Sequence, residues 1–377
     1  MKAISKSYLL TQLKNLDAKV LEKKYLQASQ LSVKKLETAT SGYLSSYQVV
    51  QTVGENETVL GETINIPKDF LVRAAEVKEV AKADDKFMLL TADLAQLSGM
   101  DRFIKTFPNQ FLNIGIAEQN MVGIAAGLCA EGFHPVVTTY ATFLTMRSCE
   151  QIRHYMGYMN LPIVAIGSGA GLSQGFAGNT HYTIEDISMM RAIPGVTIYS
   201  PADAGAAVKL FEKALSLRQP VYMRFTGNMN CPIVYKEDVD FDDKGYFICK
   251  EIEQSSYITI FATGTMVSVA LKASEIIEQN GFSVNVVDLY RIKPFNEDAV
   301  NCTKPKLLVS VEEHNTIGGL GAAIAETISK NRCEIPLLRL GVHDSFDAAC
   351  DYEGLLIQNR LTPELIAEDI LAKYKTL

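Results

Sequence analysis

Strand-like apolar runs alternate with segments of helical length through most of this chain, and that alternation limits the folds open to it. Parallel strands need long crossover connections, which helices usually supply. The pattern therefore predicts an α/β fold with mostly parallel, doubly wound sheets flanked by helices. The predicted strands are 87–90, 135–139, 163–166, 221–225, 257–262, 283–289 and 306–311, and the predicted helices are 68–82, 119–130, 146–158, 203–215, 266–279, 319–330 and one from Thr362-Pro363.

Length predicts two to three domains, and the pattern along the chain predicts two α/β domains after an N-terminal extension. The chain has 377 residues, of which 47% are hydrophobic and 21% charged, as in ordinary globular proteins. A polar segment rich in Asp and Lys at 236–244 separates two α/β patterns. We expect an extension and linker at 1–65, one domain at 66–235 and another at 236–377.

The extension itself has two features. Residues 6–36 place leucines at helical spacing among many lysines, which predicts an amphipathic helix. That helix is either a solvated surface element or a docking arm for a partner chain. The glycine-containing segment 52–65 predicts a linker or an exposed hairpin.

Several classes of protein are disfavoured. The net charge of −7 is spread along the chain, which argues against a nucleic-acid surface. Seven scattered cysteines without a Cys-x-x-Cys pair argue for a reducing compartment and against a disulfide framework or zinc site. No apolar run approaches the roughly 20 residues of a membrane span, and the N-terminal apolar patch is too short for a signal peptide. We therefore expect a cytoplasmic protein that binds neither nucleic acid nor membrane.

Glu118 is the strongest catalytic candidate. It lies where a glycine-containing turn enters a helix rich in Ala and Gly, whose small side chains favour close packing and burial of the carboxyl group. A buried carboxyl group with no cation nearby has a raised pKa and can exchange a proton near neutral pH. The alternative is a first-turn acid that only favours the helix dipole.

A set of short motifs together resembles the transketolase family, whose members use thiamine diphosphate. Residues 111–231 resemble its pyrimidine-binding domain, and a later segment resembles its C-terminal domain, so that the resemblance covers roughly 66–377. The motifs are Thr91-Ala92-Asp93-Leu94, Ile116-Ala117-Glu118-Gln119-Asn120-Met121, Tyr140-Ala141-Thr142-Phe143, Glu150-Gln151-Ile152-Arg153, Thr180-His181, Ile193-Pro194-Gly195, Glu312-Glu313-His314 and Gly318-Gly319-Leu320-Gly321.

The resemblance implies roles in cofactor binding. In the family a buried Glu bonds a pyrimidine ring nitrogen and promotes loss of the thiazolium proton, and Glu118 matches it. An aromatic ring stacks on the pyrimidine, for which Phe143 is the best match and Tyr140 the second. The alternative for both rings is a core aromatic after a strand. The same motifs imply that Asp93, Leu94 and Ile116 line the cofactor site.

The resemblance also implies a substrate site. His181 matches a family histidine that contacts substrate oxygen and helps move protons, which suits an imidazole. Lys68 stands where the family has an Arg that contacts the acceptor phosphate. Thr226 stands at a second such Arg, with Arg224 two residues earlier, and Ala177 replaces an Asp that contacts the donor. Lys provides charge without the bidentate fork of Arg, so these departures favour an unusual sugar or oxo-acid substrate. His314 is either structural or near the site.

One family motif is missing. The diphosphate and Mg²⁺ site is built from Gly-Asp-Gly and a later Asn in a domain that normally precedes the pyrimidine domain, and no Gly-Asp-Gly occurs in this sequence. The resemblance therefore implies the C-terminal half of a split enzyme. An N-terminal partner subunit would hold the diphosphate and most of the Mg²⁺ contacts, in an α2β2 heterotetramer.

Three interpretations remain open. The leading one is a split transketolase-like enzyme that transfers a two-carbon ketol or acyl unit. The second is a decarboxylating thiamine enzyme, like deoxyxylulose phosphate synthase or the β subunit of a 2-oxo acid dehydrogenase. The third is a catalytically silent paralogue that regulates or scaffolds a complete enzyme.

Overall fold

The computed structural model divides into two compact units. One contains the described residues up to Ala83 together with 95 and 100–109, and the other contains 84–94 and the described residues from 110 onward. The residues that the structure describes are 31–35, 44–53, 56–59, 64–67, 80–95, 100–227, 231–237, 239–251, 257–301 and 305–377.

The first unit contains a small antiparallel sheet. Its described strands are β1 (Leu31–Lys35), β2 (Leu44–Val53), β3 (Asn56–Val59) and β4 (Ile64–Pro67), and β2 pairs with each of the others. The hairpin interpretation of 52–65 is confirmed where β2 meets β3, with Val53 opposite Asn56. The same unit includes the helix Asp101–Thr106.

The predicted N-terminal helix is wrong over its last residues. Leu31 and Val33 alternate with Ser32 and Lys34, and this period of two suits a strand as well as the leucine spacing suits a helix. Pairing with β2 decides between them. Residues 6–30 of that predicted helix lie outside the described residues, as do 68–79 of the next one, of which residues 80–83 are helical.

The second unit confirms the α/β prediction, with two mixed sheets among its described residues. The strands are β5 (Phe87–Thr91), β6 (Phe111–Asn113), β7 (His134–Tyr140), β8 (Val164–Ala170), β9 (Thr197–Tyr199), β10 (Val221–Thr226), β11 (Phe247–Lys250), β12 (Ile258–Ala262), β13 (Val284–Asp288), β14 (Arg291–Lys293), β15 (Leu307–Asn315) and β16 (Leu337–Val342). The first sheet has the order β14-β9-β10-β8-β7-β5-β6 and the second β11-β13-β12-β15-β16. All neighbouring strands are parallel except β14 with β9 and β11 with β13.

Helices cover these sheets as the apolar pattern predicts. Met121, Val122 and Ala125 of one helix pack with Leu90 and Val137 of the sheet in a single buried cluster. The helices of this unit are Glu118–Ala130, Cys149–Gln151 with π-helical segments Phe143–Arg147 and Ile152–Tyr158 on either side, Asp186–Ala192, Ala204–Leu217, Met266–Gln279, Asp298–Asn301, Leu320–Lys330, Tyr352–Gln358 and Pro363–Tyr374.

We expected the small Ala and Gly side chains of the helix Glu118–Ala130 to allow close packing, and this is only partly right. Ala125 and Ala126 are buried, but a Cβ atom added at Gly123 or Gly127 would meet nothing within 4 Å. One face of this helix therefore packs on the core, while the glycines lie on a face that no described residue covers.

The first sheet places several loops at one edge. In the sheet, β6 and β7 lie on opposite sides of β5, so the chain changes direction there. Because these strands are parallel, the loops that follow β5, β6, β7 and β8 leave from the same edge. Open α/β sheets bind their ligands at such a switch point.

A buried ion pair connects the two sheets. Arg224 of β10 is fully buried, and its Nε donates to Asp186 Oδ2 at 2.8 Å. Its Nη2 donates to the carbonyl of Glu313 in β15 at 2.9 Å. Burial alone would raise the pKa of Asp186, but the charge of Arg224, the nearby His314 and the hydrogen bonds from Arg224 and Tyr222 together outweigh it and hold that pKa below its usual value. The pair is therefore ionised and joins both sheets.

His314 connects the second sheet to the helix Asp186–Ala192, which precedes β9 of the first sheet. It is fully buried, its Nε2 accepts from the backbone N–H of Ile187 at 3.1 Å, and its Nδ1 faces the carbonyl of Asn315 at 2.6 Å. These partners require a neutral ring with its proton on Nδ1. Burial lowers the pKa of His314 to about 4. The structural interpretation of His314 therefore fits its surroundings.

This burial predicts a pH-dependent contribution to stability. His314→Gln keeps an oxygen that can accept from Ile187 and removes the titrating ring. The folded pKa of about 4 lies below the ordinary 6.5, so the unfolded chain binds the proton first as the pH falls. The contribution of His314 is thus complete above about pH 6.5 and is lost as the pH falls towards 4.

The free energy of unfolding, measured with urea between pH 7.5 and 4.5, should therefore differ between wild type and variant by an amount that shrinks on acidification. Burial also raises the pKa of Glu312 to about 7. Glu312 is present in the wild type and in the variant, so it titrates in both proteins. The exposed-histidine variant His154→Gln is the matched control. A wild-type-to-variant difference that does not change with pH would contradict the assignment.

Candidate active site

The loops after β5 and β6 are locked to each other. Asp93 has a left-handed backbone with φ of 60°, which Asp tolerates better than most residues. Its N–H donates to Asn113 Oδ1 at 3.0 Å, and Asn113 Nδ2 donates back to Asp93 Oδ1 at 3.1 Å. The N–H of Gly115 donates to the same Asn113 oxygen at 3.0 Å. Asn113, which sequence reasoning did not assign a role, thus positions Asp93.

Two residues predicted to contact the cofactor lie next to the hydrogen-bonded pair Asp93 and Asn113. Leu94 follows Asp93 and is half-buried. Ile116, between Asn113 and Glu118, leaves 76% of its surface exposed. A large apolar side chain held in this position by a bonded turn is available for contact with a ligand or another chain.

Glu118 is buried, as predicted, with 5% of its surface exposed at the start of its helix. The premise that no cation lies nearby is wrong, because Arg147 Nη1 lies 2.8 Å from Glu118 Oε1. Gln119 Nε2 donates to the Arg147 carbonyl at 2.9 Å and ties the two helical segments together. Arg147 follows Phe143 by one helical turn, a spacing that could have indicated a shared face.

Three predicted side chains come together next to this pair. The rings of Tyr140 and Phe143 have centroids 5.8 Å apart, and His181 lies edge-on to Phe143 at 5.4 Å and to Tyr140 at 6.3 Å. The guanidinium carbon of Arg147 is 3.9 Å from the centre of the Phe143 ring. Glu118, Arg147 and the three rings therefore form one contiguous group at the carboxyl edge of the sheet.

His181 is carried by the loop after β8. The ring is half-buried, and its Nδ1 lies 2.9 Å from Thr180 Oγ1. Ala177 is exposed in the same loop and provides no polar group at the position where the family has an Asp. An imidazole between aromatic rings and solvent is suited to transfer protons at a bound substrate.

Other predicted substrate residues are placed differently. Arg224 is fully buried and donates to Asp186 and to two backbone carbonyls, so the structure leaves it no accessible role at a substrate. Thr226 is buried as well, and its Oγ1 accepts from the N–H of Thr265 at 3.1 Å. The sequence position of Arg224 suggested a phosphate contact, but its charge is used inside the fold. Lys68 lies outside the described residues.

The described part of the chain contains neither a metal-binding cluster of side chains nor a helix able to span a membrane. No group of three or more His, Cys, Asp or Glu side chains there has an arrangement that could hold a metal ion. None of the helices there combines the length and apolar composition that crossing a bilayer requires.

Known protein families match this chain over regions of both sheets. A family model of the transketolase pyrimidine-binding domain matches residues 72–230, and one of the transketolase C-terminal domain matches residues 249–359. A 6-deoxy-6-sulfo-D-fructose transketolase subunit of Clostridium sp. is 36% identical over 270 residues, which are 71% of this chain and 82% of that relative. This chain belongs to the transketolase family.

Two further relatives show which kinds of protein contain a region similar to this chain. A solved split gene transketolase, in the form of an inactive beta4 tetramer, has a TM-score of 0.72 and 31% identity, covering 81% of this chain and 98% of that one. A 1-deoxy-D-xylulose-5-phosphate synthase of Caldanaerobacter subterraneus is 35% identical over 304 residues, which are 79% of this chain but 48% of that enzyme. The predicted boundaries at 65/66 and 235/236 remain predictions.

Proposed function

We propose that this chain is the C-terminal subunit of a split transketolase that transfers a two-carbon unit with thiamine diphosphate. The observation that carries the proposal is the group of Glu118, Phe143, Tyr140 and His181 at the switch point of the first sheet. Similarity to a transketolase subunit and to a split gene transketolase supports it.

The residues present suit the aminopyrimidine end of the cofactor. Glu118 is screened from water, so that a hydrogen bond from its carboxyl group to a ring nitrogen would be strong. Phe143 provides an aromatic face beside it, with Tyr140 behind, and Leu94 and Ile116 add apolar contacts. When bound, thiamine diphosphate supplies a nucleophilic thiazolium carbon, which allows a carbon–carbon bond of a ketose or oxo acid to be broken and remade.

The chain's own residues then have distinct tasks. With the cofactor bound, Glu118 would hold a proton at its carboxyl group and share it with a pyrimidine ring nitrogen, a contact that would precede any substrate step. His181 acts later, as a proton donor and acceptor at substrate oxygen. The hydrogen-bonded pair Asp93 and Asn113 keeps the loops after β5 and β6 in place.

A partner subunit completes the site in this proposal. The sequence contains no Gly-Asp-Gly for a diphosphate and Mg²⁺ site, so we assign those contacts to an N-terminal subunit. Ile116 is exposed, and Gly123 and Gly127 lie on an uncovered helix face, as expected of a surface that another chain covers. Closed twofold assemblies are the commonest oligomers, which favours α2β2. A cytoplasmic location remains a prediction.

Reconstitution tests this division of labour. The isolated chain should bind thiamine diphosphate with Mg²⁺ negligibly, because the diphosphate anchors lie on the partner. Adding the N-terminal subunit should produce tight binding and turnover in a particle with two copies of each chain. Isothermal titration and light scattering measure both results. Tight Mg²⁺-dependent binding by the isolated chain would contradict the split assignment.

Glu118→Gln tests the catalytic assignment in the reconstituted pair. The amide keeps size and shape but removes the acid, so the complex should assemble, bind cofactor and lose about 100- to 10,000-fold in turnover, roughly 3–5 kcal/mol of barrier. Exchange of the thiazolium proton into deuterated solvent, followed by NMR, should slow in parallel. Glu131→Gln, at the exposed end of the same helix, is the control. A normal exchange rate in Glu118→Gln would mean that Glu118 is only a helix-start carboxylate.

The contact of Arg147 with Glu118 is the observation that favours a silent paralogue. Arg147 occupies the carboxyl oxygen of Glu118 and one face of Phe143, both of which the pyrimidine would need. Its side chain is nevertheless 48% exposed, so that it can turn into solvent at small cost. In the proposed function the Arg147 side chain therefore moves away from Glu118 and Phe143 when the cofactor binds. In a silent paralogue it keeps both contacts.

Arg147→Met measures how strongly Arg147 competes with a bound pyrimidine. Exposed ion pairs and cation–π contacts contribute about 0.2–1 kcal/mol each, so the variant should bind the pyrimidine fragment 4-amino-5-hydroxymethyl-2-methylpyrimidine about fivefold more tightly in the isolated chain. NMR titration measures this affinity, and Arg153→Met, at an exposed arginine, is the control. Equal affinity of wild type and Arg147→Met would show that Arg147 does not compete.

A decarboxylating enzyme remains the second candidate within the family. The similarity to a 1-deoxy-D-xylulose-5-phosphate synthase supports it, although this chain spans about half of that enzyme. Release of CO₂ from pyruvate by the reconstituted pair would favour it over transfer from a ketose donor.

A further inference from the structure

The loop that carries His181 is closed at its base. Gly171 and Thr183 form a two-way backbone pair, with the N–H of Gly171 donating to Thr183 at 2.8 Å and that of Thr183 donating back at 2.9 Å. His181 lies two residues before the closing Thr183. A closed loop of this kind moves as one piece, so the position of His181 depends on what holds the base.

Glu313 of the C-terminal domain holds that base. It is fully buried in β15, and its Oε1 accepts from the N–H of Leu172 at 2.6 Å. Its Oε2 accepts from Thr265 Oγ1 at 2.9 Å and from the Tyr352 hydroxyl at 2.8 Å. One oxygen thus binds the loop, and the other binds two hydroxyls of its own domain.

The loop is shaped to receive this carboxylate. Gly171 has φ of +70°, and a Cβ atom there would collide with Glu313 Oε1. Any other residue would therefore be strained in its backbone and would also displace the carboxylate. Gly171 is therefore the residue type that allows the loop to approach the Glu313 carboxylate this closely.

The far part of the loop rests on the same domain. The N–H of Cys350 donates to the Gly175 carbonyl at 3.3 Å, and the Tyr182 hydroxyl donates to the Asp347 carbonyl at 3.3 Å. A Cβ atom at Gly175 would collide with Leu355. These contacts support the loop along its length. At the base, Glu313 accepts from the N–H of Leu172, and Arg224 Nη2 donates to the Thr183 carbonyl at 3.5 Å.

We propose that Glu313 is a positioning residue for His181, through which the C-terminal domain takes part in the substrate steps. By fixing Leu172, Glu313 holds the loop so that the imidazole stays against Phe143. This inference rests on the proposed function, in which His181 acts on substrate and Glu118 acts on the cofactor.

Three substitutions separate positioning from general stability. Glu313→Leu fills similar space but cannot accept, and leaves the N–H of Leu172 buried without a partner. Glu313→Gln keeps one oxygen for that N–H and should rescue the position of the loop. Tyr352→Phe removes a hydroxyl from the other carboxylate oxygen and leaves the Leu172 contact intact, so it is the matched control.

Hydrogen exchange of the isolated chain is the first readout. The amide of Leu172 in the wild type should exchange as slowly as the amides of β12. In Glu313→Leu, exchange across residues 172–182 should rise about tenfold or more, with β12 unchanged, and both Glu313→Gln and Tyr352→Phe should resemble the wild type. Fast exchange of Leu172 in the wild type would overturn the proposal even if Glu313→Leu fails to fold.

Kinetics of the reconstituted pair, with hydroxypyruvate as donor, are the second readout. Glu313→Leu should leave thiazolium proton exchange unchanged and lower the rate of donor consumption about tenfold or more, with no further loss when it is combined with His181→Ala. Multiplying losses in the double variant would overturn the positioning role alone. If His181→Ala itself left the substrate steps unaltered, the proposed role of His181 would fail instead.

Discussion

The ion pair of Arg224 with Asp186 is the constraint on which the rest of the second unit depends. A fully buried guanidinium is tolerable only when an opposite charge and further acceptors surround it. Asp186 provides the charge, and the carbonyls of Thr183 and Glu313 provide acceptors. These partners belong to different elements, so satisfying one charge requires the first sheet, the base of the His181 loop and the second sheet to come together.

A different electrostatic demand shapes the candidate active site. A buried carboxyl group suits the role proposed for Glu118, and as a buried polar group it also needs a hydrogen-bond partner within the chain. Arg147 meets this need from a half-exposed position, where its bond to Glu118 costs little solvation of the guanidinium. In the proposed function, this arrangement stabilises the chain with a half-exposed group that a ligand can displace, which a fully buried arginine such as Arg224 could not be.

Local pattern predicted most of the fold, and the resemblance to the transketolase family named the residues that the structure brings together in the candidate site. β5, β7 and β12 have apolar runs bounded by turns, and the parallel arrangement alone brings Phe143, Glu118 and His181 to one edge. The sequence did not predict the structure where a local pattern fits both a helix and a strand, or where the contacting residues are far apart in the sequence. Strand β1 also fits a helical spacing, and β14 has three residues and pairs with β9 across the chain. Arg147 meets Glu118 from 29 residues away and Glu313 meets Leu172 from 141 residues away, which no local pattern encodes.

The Glu-Glu-His motif of β15 shows how polar residues without a chemical role still shape a site. Side chains alternate along a strand, so Glu312 and His314 face one side and Glu313 the other. Glu312 accepts from the N–H groups of Leu320 and Gly321 at a helix start, and His314 accepts at the start of the helix Asp186–Ala192. Glu313 meanwhile holds the loop of His181. Because all three are fully enclosed, each must satisfy its hydrogen bonds with a specific backbone group. That requirement transmits the geometry of the C-terminal domain to a site that lies entirely on the first sheet.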